Sequence, residues 1–237
     1  MDQFLLMLTS FATAAVSGTI GFGGAILLLP VLTASVGVAK AVPILTFIQI
    51  VGNASRVAFA RTEINWSAVK GYLVTGVPFA ILGAYSFVAV PKTLMLHIVG
   101  FAILAFIALK FLGLTKGQIS NKGLPVAGAI IGFLSGFIGT AGPLGAAVLM
   151  SMNMPPLTYI ATDAFCSLVM HTAKAFVYGV NNAEFASISA LTIAMSITTI
   201  IGTFVGNKIA KKLPQNVFRA AVTTLIVVAA VQMILAT

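Results

Sequence analysis

The sequence predicts an all-α polytopic membrane protein with two inverted repeats, each formed by a broken or re-entrant helical hairpin and three transmembrane helices. Three observations lead to this fold class. Hydrophobic residues make up 59% of the chain and charged residues only 7%, and several uncharged runs approach the roughly 20 residues that cross a bilayer. A glycine-rich segment occurs twice. The basic residues fall mainly on one predicted side of the membrane.

The glycine-rich segments are SGTIGFGGA at residues 17–25 and SGFIGTAGP at residues 135–143, a separation of 118 residues. Glycine inside a helix costs about 1 kcal/mol relative to alanine, so each segment is predicted to break an apolar helix. Irregular backbone at membrane depth is tolerated only inside protein or beside a watery cavity. We therefore expect the two breaks to line one shared site. The alternative is that these glycines only allow close helix packing.

The repeats are predicted at residues 1–114 and 123–237, joined by a linker at residues 115–122. The predicted apolar runs are 3–36 (broken at 17–24), 41–60, 67–90 and 93–112 in the first half, and 124–152 (broken at 135–142), 157–180, 185–209 and 217–236 in the second. The two pieces of run 3–36, at about 14 and 12 residues, are too short to cross the bilayer singly. A re-entrant hairpin is therefore expected there.

Basic residues orient the chain. If each broken run crosses the membrane once, the short-loop Lys and Arg residues divide five against six, which orients nothing. If each broken run dips in and returns, the division is nine against two, as the positive-inside rule requires. Each half then has three crossings besides its hairpin, and because three is odd the halves are inverted. The minority pair is Lys40 and Lys92; the majority set is Arg61, Lys70, Lys110, Lys116, Lys122, Lys208, Lys211, Lys212 and Arg219.

A helix is predicted to restart after each break, near Ala25 and at Pro143, where a proline suits the first helical turn. The free N–H groups and the dipole at a helix start favour an anion by roughly 0.3 to 1 kcal/mol at an exposed site. Two such starts near the membrane midplane would form an anion site. Its predicted backbone and hydroxyl donors are Ser17, Gly18, Gly21, Gly23, Gly24, Ser135, Gly136, Gly139, Thr140 and Gly142.

Two apolar runs carry polar stripes at helical spacing. One consists of Gln49, Asn53 and Arg56, and the other of Asp163, Ser167, His171 and Lys174; Asn53 and Arg56 stand 118 residues before His171 and Lys174. Arg56 and Lys174 are expected to neutralise the anion, or alternatively to extend toward the membrane surface. His171 and Asp163 are candidates for proton coupling. The alternatives are a hydrogen-bonded histidine and an Asp163 paired with Lys174 or His171.

Several classes of function are excluded or unsupported. The net charge of +9 is explained by basic residues beside membrane spans rather than by nucleic acid. The single Cys166 excludes an intrachain disulfide and a cysteine metal cluster. No nucleotide or metal motif is present, so we expect no cofactor and no metal. The N-terminal segment is expected to be retained rather than cleaved. Interfacial anchoring is the expected role of Trp66, Tyr72, Tyr85 and His97.

The paired glycine segments, each followed by a helix and a run that ends in a basic residue, resemble the sulfite exporter TauE/SafE family, also called the toluene sulfonate uptake permease family. The resemblance implies movement of small sulfur-containing anions such as sulfite, sulfoacetate or aromatic sulfonates across the bacterial or archaeal cytoplasmic membrane. The family pattern falls on Gly18, Gly21, Gly23, Gly24, Gly136, Gly139 and Gly142. In the second segment Ala141 and Pro143 depart from it, so the two sides of the site are expected to differ.

Together these features predict a secondary transporter with a small anionic substrate, a proton or sodium as the coupling ion, and no enzymatic activity. Two alternatives keep the architecture: a passive anion channel, and a transporter of a carboxylate without sulfur. A hydrolase with Ser135 and His171 as nucleophile and base is a third alternative. It is disfavoured because Phe133 stands where the G-x-S-x-G motif needs glycine.

Overall fold

The computed structural model of the chain describes residues 3–36, 38–86, 101, 119–138, 142–181 and 190–235. Their regular secondary structure is helical, without a strand. The predicted run 93–112 lies almost wholly outside the described residues, as do residues 115–118 of the predicted linker. Because the chain's composition leaves few polar side chains to solvate a backbone, helices that satisfy their own N–H and C=O groups are the expected outcome.

In the first half, α1 is Gln3–Ile20, α2 is Gly24–Val36, α3 is Val38–Ala60 and α4 is Trp66–Ser86, with a 3₁₀ turn at Arg61–Glu63. In the second half, α5 is Leu124–Ile138, α6 is Gly142–Met150, α7 is Pro156–Asn181, α8 is Ala190–Ala210 and α9 is Gln215–Leu235. Within the described ranges, α1, α4 and α8 are long and apolar enough to cross a membrane. The helix α4 continues through Pro78.

The first break is shorter than predicted, because α1 extends through Ser17 and Gly18 to Ile20. The prediction of a piece of about 14 residues was therefore wrong, and the 18 residues of α1 amount to about 27 Å at 1.5 Å per residue. Tertiary packing explains the difference. A Cβ on Gly18 would lie 2.7 Å from the backbone oxygen of Thr203, so this glycine allows α8 to approach a continuous helix.

The distribution of polarity is that of a membrane protein. Large apolar side chains lie on the outside, among them Phe4, Leu8, Val74, Leu82, Ile130, Ile197 and Ile201. Some charged side chains lie inside: Arg56, Asp163 and Lys174 are each at most 5% exposed. A lipid-facing surface removes the need for exposed charge, whereas a buried charge demands partners or a function.

Two helix pairs are held by glycines. In the pair α4–α5, a Cβ on Gly128, Gly132 or Gly136 would collide with the backbone oxygen of Tyr72, Gly76 or Ala80. In the pair α1–α8, a Cβ on Gly202 or Gly206 would collide with the backbone oxygen of Phe11 or Ala15. Small residues allow this approach of backbones, which supplies van der Waals contact where lipid offers no hydrophobic driving force.

These pairs are reciprocal between the halves. The first helix of the first half, α1, packs on α8 of the second half, and the first helix of the second half, α5, packs on α4 of the first. Between them α3 contacts α7, and each also contacts a helix of the opposite half, α8 and α4 respectively. This exchange brings α3 and α7, which carry the two polar stripes, together at the interface between the halves.

Candidate anion site between two helix breaks

The break between α1 and α2 requires glycine at two positions. Gly21 has φ +95° and Gly23 has φ +100°, a backbone region that residues with a Cβ rarely adopt. A Cβ on Gly21 would also lie 2.5 Å from Cε1 of Tyr159, and one on Gly23 would lie 2.5 Å from Cδ2 of Leu225. The chain therefore turns within residues 21–23 and restarts as a helix at Gly24.

The second break lies between Ile138 and Gly142, where α5 ends and α6 begins. Residues 139–141, including the predicted site residues Gly139 and Thr140, lie outside the described residues. Pro143 occupies the first turn of α6, as predicted. Both restarted helices thus begin at a glycine, and these glycines are 118 residues apart.

A cavity of about 40 Å³ lies where the two restarted helices approach α3 and α7. The first break contributes Phe22, Gly23, Ala25 and Ile26, and α6 contributes Gly142 and Gly145. The other lining residues are Gln49, Asn53, Arg56, Tyr72, Ile131, Ser135, Asp163, Ser167, Met170 and His171. Each helix start leaves N–H groups without an intrahelical acceptor, and two such helix starts contribute to the wall of one cavity.

Arg56 crosses between the halves beside this cavity. Its guanidinium donates hydrogen bonds to the backbone oxygens of Ser17 and Gly21 and to Oδ1 of Asn53. Its Nη1 lies 3.9 Å from Oδ2 of Asp163, an ion pair in which both side chains are almost fully buried. This position contradicts the alternative in which Arg56 extends toward the membrane surface, and it leaves the charge beside the cavity.

Lys174 occupies the equivalent position in the second half. Its Nζ donates to the backbone oxygen and to Oγ of Ser135, each at 3.2 Å, and the residue is 0% exposed. Because Ser135 lines the cavity, the positive charge lies one side chain away from it. The alternative of extension toward the surface is contradicted here too, and Ser135 is bonded to Lys174.

Asn53 and His171 each place a polar nitrogen atom in the buried interior. Within the described residues, Nδ2 of Asn53 and Nδ1 of His171 are buried without a hydrogen bond. Both residues line the cavity, and they are 1% and 8% exposed. A buried polar group without a partner costs about 1 to 3 kcal/mol, so such groups need an explanation, and a ligand between them is the simplest.

Asp163 makes the cavity asymmetric. It lines the wall on α7, and it pairs with Arg56 rather than with the predicted Lys174 or His171. The position 118 residues earlier is Leu45, so the first half has no matching carboxylate. In the described part of the chain, the site therefore has two cations and one acidic group beside it.

Two tyrosines near the site were not predicted. Tyr72 was expected at the membrane interface, but it is 1% exposed and lines the cavity, which corrects that prediction. Tyr159 is 1% exposed, packs against Gly21 and carries a hydroxyl without a partner among the described residues. Trp66 and Tyr85, by contrast, are exposed, and His97 lies outside the described residues. Tyr72 is buried by the packing of α4 on α5, and the residues next to Tyr72 in the sequence do not predict this packing.

The remaining predicted site residues divide into three groups. Gly18 and Gly136 pack one helix backbone against another. Ser17 and Gly24 line a smaller neighbouring cavity, which Gln49 and Arg56 share. Gly21 does not line either cavity, but its backbone oxygen accepts from Arg56. Within the described part of the chain no cluster of three or more metal-ligating side chains is present.

No curated protein and no solved structure matches the chain. The family model described as "Sulfite exporter TauE/SafE" matches residues 6–233, which includes both glycine segments and both polar stripes. The chain is therefore a membrane transport protein that belongs to the sulfite exporter TauE/SafE family.

Proposed function

We propose that the chain is a secondary transporter of a small sulfur-containing anion across the cytoplasmic membrane, and that the cavity between the two helix breaks binds this anion. The observation that carries the proposal is the pair of nitrogen atoms of Asn53 and His171 that have no hydrogen-bond partner among the described residues, buried in a cavity that both restarted helices line. An oxyanion offers several acceptor oxygens at once, which suits donors that converge from opposite sides.

The charges support an anion rather than a cation. Arg56 and Lys174 lie beside the cavity, and among the residues that the structure describes Asp163 is the one acidic group that opposes them. Two unit charges 4 Å apart interact by about 4 kcal/mol at an effective dielectric constant of 20. A cation in the cavity would face two repulsions for one attraction, and the repulsion from Lys174 would be the weaker of the two because Ser135 lies between them. An anion would face the reverse, and it would add the favourable dipoles of α2 and α6.

The cavity's size favours a small substrate. A water molecule needs about 10 to 15 Å³ of such space, so 40 Å³ admits about three or four water-sized atoms. Sulfite, a sulfur with three oxygens, is of this size. An aromatic sulfonate would need the cavity to widen. We therefore place sulfite and similarly compact sulfur oxyanions first among the substrates.

The reciprocal packing supports alternating access. If the halves are inverted repeats with re-entrant hairpins, the interface between α3 and α7 lies at the membrane midplane, and both glycine-held pairs cross from one half to the other. Rocking of one half on the other would then open the cavity to each face in turn. The multi-pass topology with most basic residues in the cytoplasm belongs to the same proposal.

Asp163 supports coupling to a proton. An anion that enters beside a buried carboxylate is opposed by its charge, and a proton on Asp163 or on His171 removes or offsets that repulsion. Binding of the anion and of a proton would then favour each other. Both residues line the cavity, so we propose them as the coupling groups.

The identity of the substrate can be tested with purified protein, by measuring thermal shifts and calorimetric binding. The ligands are sulfite, thiosulfate, sulfoacetate, taurine, sulfate and acetate, each with sodium or potassium as the cation. We expect the compact sulfur oxyanions to stabilise the protein most. A preference for acetate would agree with an anion site in this cavity but would contradict the assignment of a sulfur-containing substrate. Saturable counterflow in liposomes would support a carrier, whereas a high unitary conductance would support the channel.

A further inference from the structure

A second cavity of about 10 Å³ adjoins the anion site between α1, α3 and α8. Its wall carries five buried hydroxyl residues, none more than 7% exposed. We call this set the hydroxyl passage: Ser10, Thr13 and Ser17 on α1, with Thr199 and Thr203 on α8. Gln49 and Arg56 line both cavities, so these two side chains form the wall between them.

Nearby charge decides what this space could hold. Hydroxyl groups can serve either a cation or an anion, because each carries a donor and acceptor lone pairs. Arg56 lines the space directly, however, and its positive charge repels a second cation. Hydroxyl donors beside a guanidinium instead suit an anion or the water that accompanies it.

Four of the five hydroxyl residues have no hydroxyl counterpart in the α4–α5 pair, and the exception is Ser17, whose counterpart is Ser135. At the spacing of 118 residues, Ser10 and Thr13 correspond to Gly128 and Ile131 on α5. At the spacing of 119 residues that aligns Gly83 with Gly202, Thr199 and Thr203 correspond to Ala80 and Ala84 on α4. At these four positions the α4–α5 pair has glycine, isoleucine or alanine where the α1–α8 pair has a hydroxyl residue.

Helix packing alone does not explain this difference. Two glycines that bring α1 and α8 together, Gly18 and Gly202, have the counterparts Gly136 and Gly83 in the α4–α5 pair, which packs without these four hydroxyl residues. Ser10 and Thr199 do bond to each other, at 2.8 Å. The hydroxyl of Thr13 bonds to the backbone oxygen of Ser10 on its own helix, at 3.2 Å. Ser17 and Thr203 nevertheless add further polar groups around a space that a purely structural contact would fill.

We propose that the hydroxyl passage is the route by which the transported anion moves between the anion site and one face of the membrane, with Arg56 and Gln49 as its gate. This inference rests on the proposed function. Arg56 closes the passage here, because its guanidinium bonds to the carbonyl groups of Ser17 and Gly21. A space of 10 Å³ holds about one water molecule, so the passage must widen when Arg56 turns to the anion.

Uptake of radiolabelled sulfite into liposomes, paired with calorimetric binding to purified protein, tests the route. Thr203→Val keeps the side chain's shape and removes its hydroxyl. We expect the initial uptake rate to fall about tenfold, as for the loss of one charge-assisted hydrogen bond, while Kd stays within about twofold. Thr203→Ser should restore the rate. Thr198→Val is the matched control, since this neighbouring hydroxyl bonds to the backbone oxygen of Met195 on its own helix.

Unchanged uptake in Thr203→Val and in Thr199→Val would overturn the passage. A Kd that weakens as much as the rate falls would also overturn it, because the hydroxyls would then belong to the binding site. If wild-type protein neither binds nor transports any oxyanion, the proposed function fails, and that result is visible without any variant.

Cysteine labelling gives a second measurement that does not need transport. The chain has a single cysteine, so Cys166→Ala provides a background free of thiols. In that background, we expect Thr203→Cys to react with a small charged methanethiosulfonate reagent added to one face of the membrane. Ala84→Cys, the counterpart packed against Gly136, should stay unlabelled. Absence of labelling at position 203 from either face would contradict the passage.

Discussion

Lys174 donates a hydrogen bond to the backbone oxygen of Ser135, at 3.2 Å. The residues 118 positions earlier repeat the contact, because Arg56 donates to the backbone oxygen of Ser17. In each half a buried cation on a long helix therefore holds the last turns of the helix that leads to a glycine break. Duplication of an ancestral unit would produce such equivalent contacts in the two halves of one chain.

Lys174→Met should separate function from stability. Methionine has a similar shape without the charge, and replacing a buried ionic group with a well-packed apolar one is often nearly neutral for stability. We expect sulfite affinity to fall at least about tenfold, with a melting temperature within about 5 °C of wild type. Lys208→Met is the control, since Lys208 lies over the ring of Phe204 on the exposed side of α8. Equal affinity in the Lys174 variant would place its charge outside anion binding.

Arg56→Ala should weaken both binding and folding, because it leaves the carboxylate of Asp163 buried without its partner. Arg56→Lys keeps the charge but loses the planar fork that reaches several acceptors, so we expect an intermediate affinity. Calorimetry and thermal unfolding measure the two effects.

The double variant Arg56→Ala with Asp163→Asn distinguishes the effect of Arg56 on anion binding from its effect on folding. Removing both charges should restore most of the melting temperature without restoring affinity. Arg219→Ala, which removes an exposed side chain bonded to Asn153, should change neither quantity. Recovery of affinity in the double variant would mean that Arg56 only neutralises Asp163.

His171→Leu and His171→Asn test the unpartnered nitrogen. The amide nitrogen of asparagine is bonded to Cγ, as Nδ1 of histidine is. His171→Asn can therefore place a hydrogen-bond donor near the position of Nδ1. We expect it to retain most sulfite affinity, whereas His171→Leu should lose about tenfold or more. Thermal unfolding should show His171→Leu to be as stable as wild type or more stable, because a buried group without a partner is removed. Affinity that is lost equally in both variants would make the role of His171 one of shape.

Gly21→Ala should destabilise the protein by about 1 to 3 kcal/mol, since it combines a positive φ with a collision against Tyr159. Gly76→Ala is the control. It lies inside α4, where a Cβ would make only ordinary contacts of 3.5 Å or more, so it should be neutral or slightly stabilising. Thermal unfolding of the two variants should therefore shift in different directions.

The sequence predicted the parts of the site that depend on local patterns. Arg56 and Lys174 were found from helical spacing and from the 118-residue offset, and the structure places both beside one cavity. Tyr72 was misplaced because its position near the start of an apolar run resembles that of an interfacial residue, while its burial depends on α5. Gly18 was read as part of the break, yet it stays helical because it accommodates Thr203. Contacts between helices that are distant in the sequence thus determine the positions of residues such as Tyr72 and Gly18, which the spacing of residues did not predict.

Asp163→Asn should uncouple anion binding from protonation. In the wild type, an anion enters beside the carboxylate of Asp163, so binding should be tighter when that group carries a proton. Affinity for a sulfonate that stays fully ionised, such as methanesulfonate, should therefore rise as the pH falls, with proton uptake visible as a dependence of the calorimetric heat on buffer. Asparagine cannot take up the proton, so this variant should bind with an affinity nearly independent of pH. Glu63→Gln, a change to the exposed carboxylate that accepts from Thr158, should leave the pH dependence intact. A pH dependence that survives in Asp163→Asn but disappears in His171→Asn would assign the proton to His171 instead.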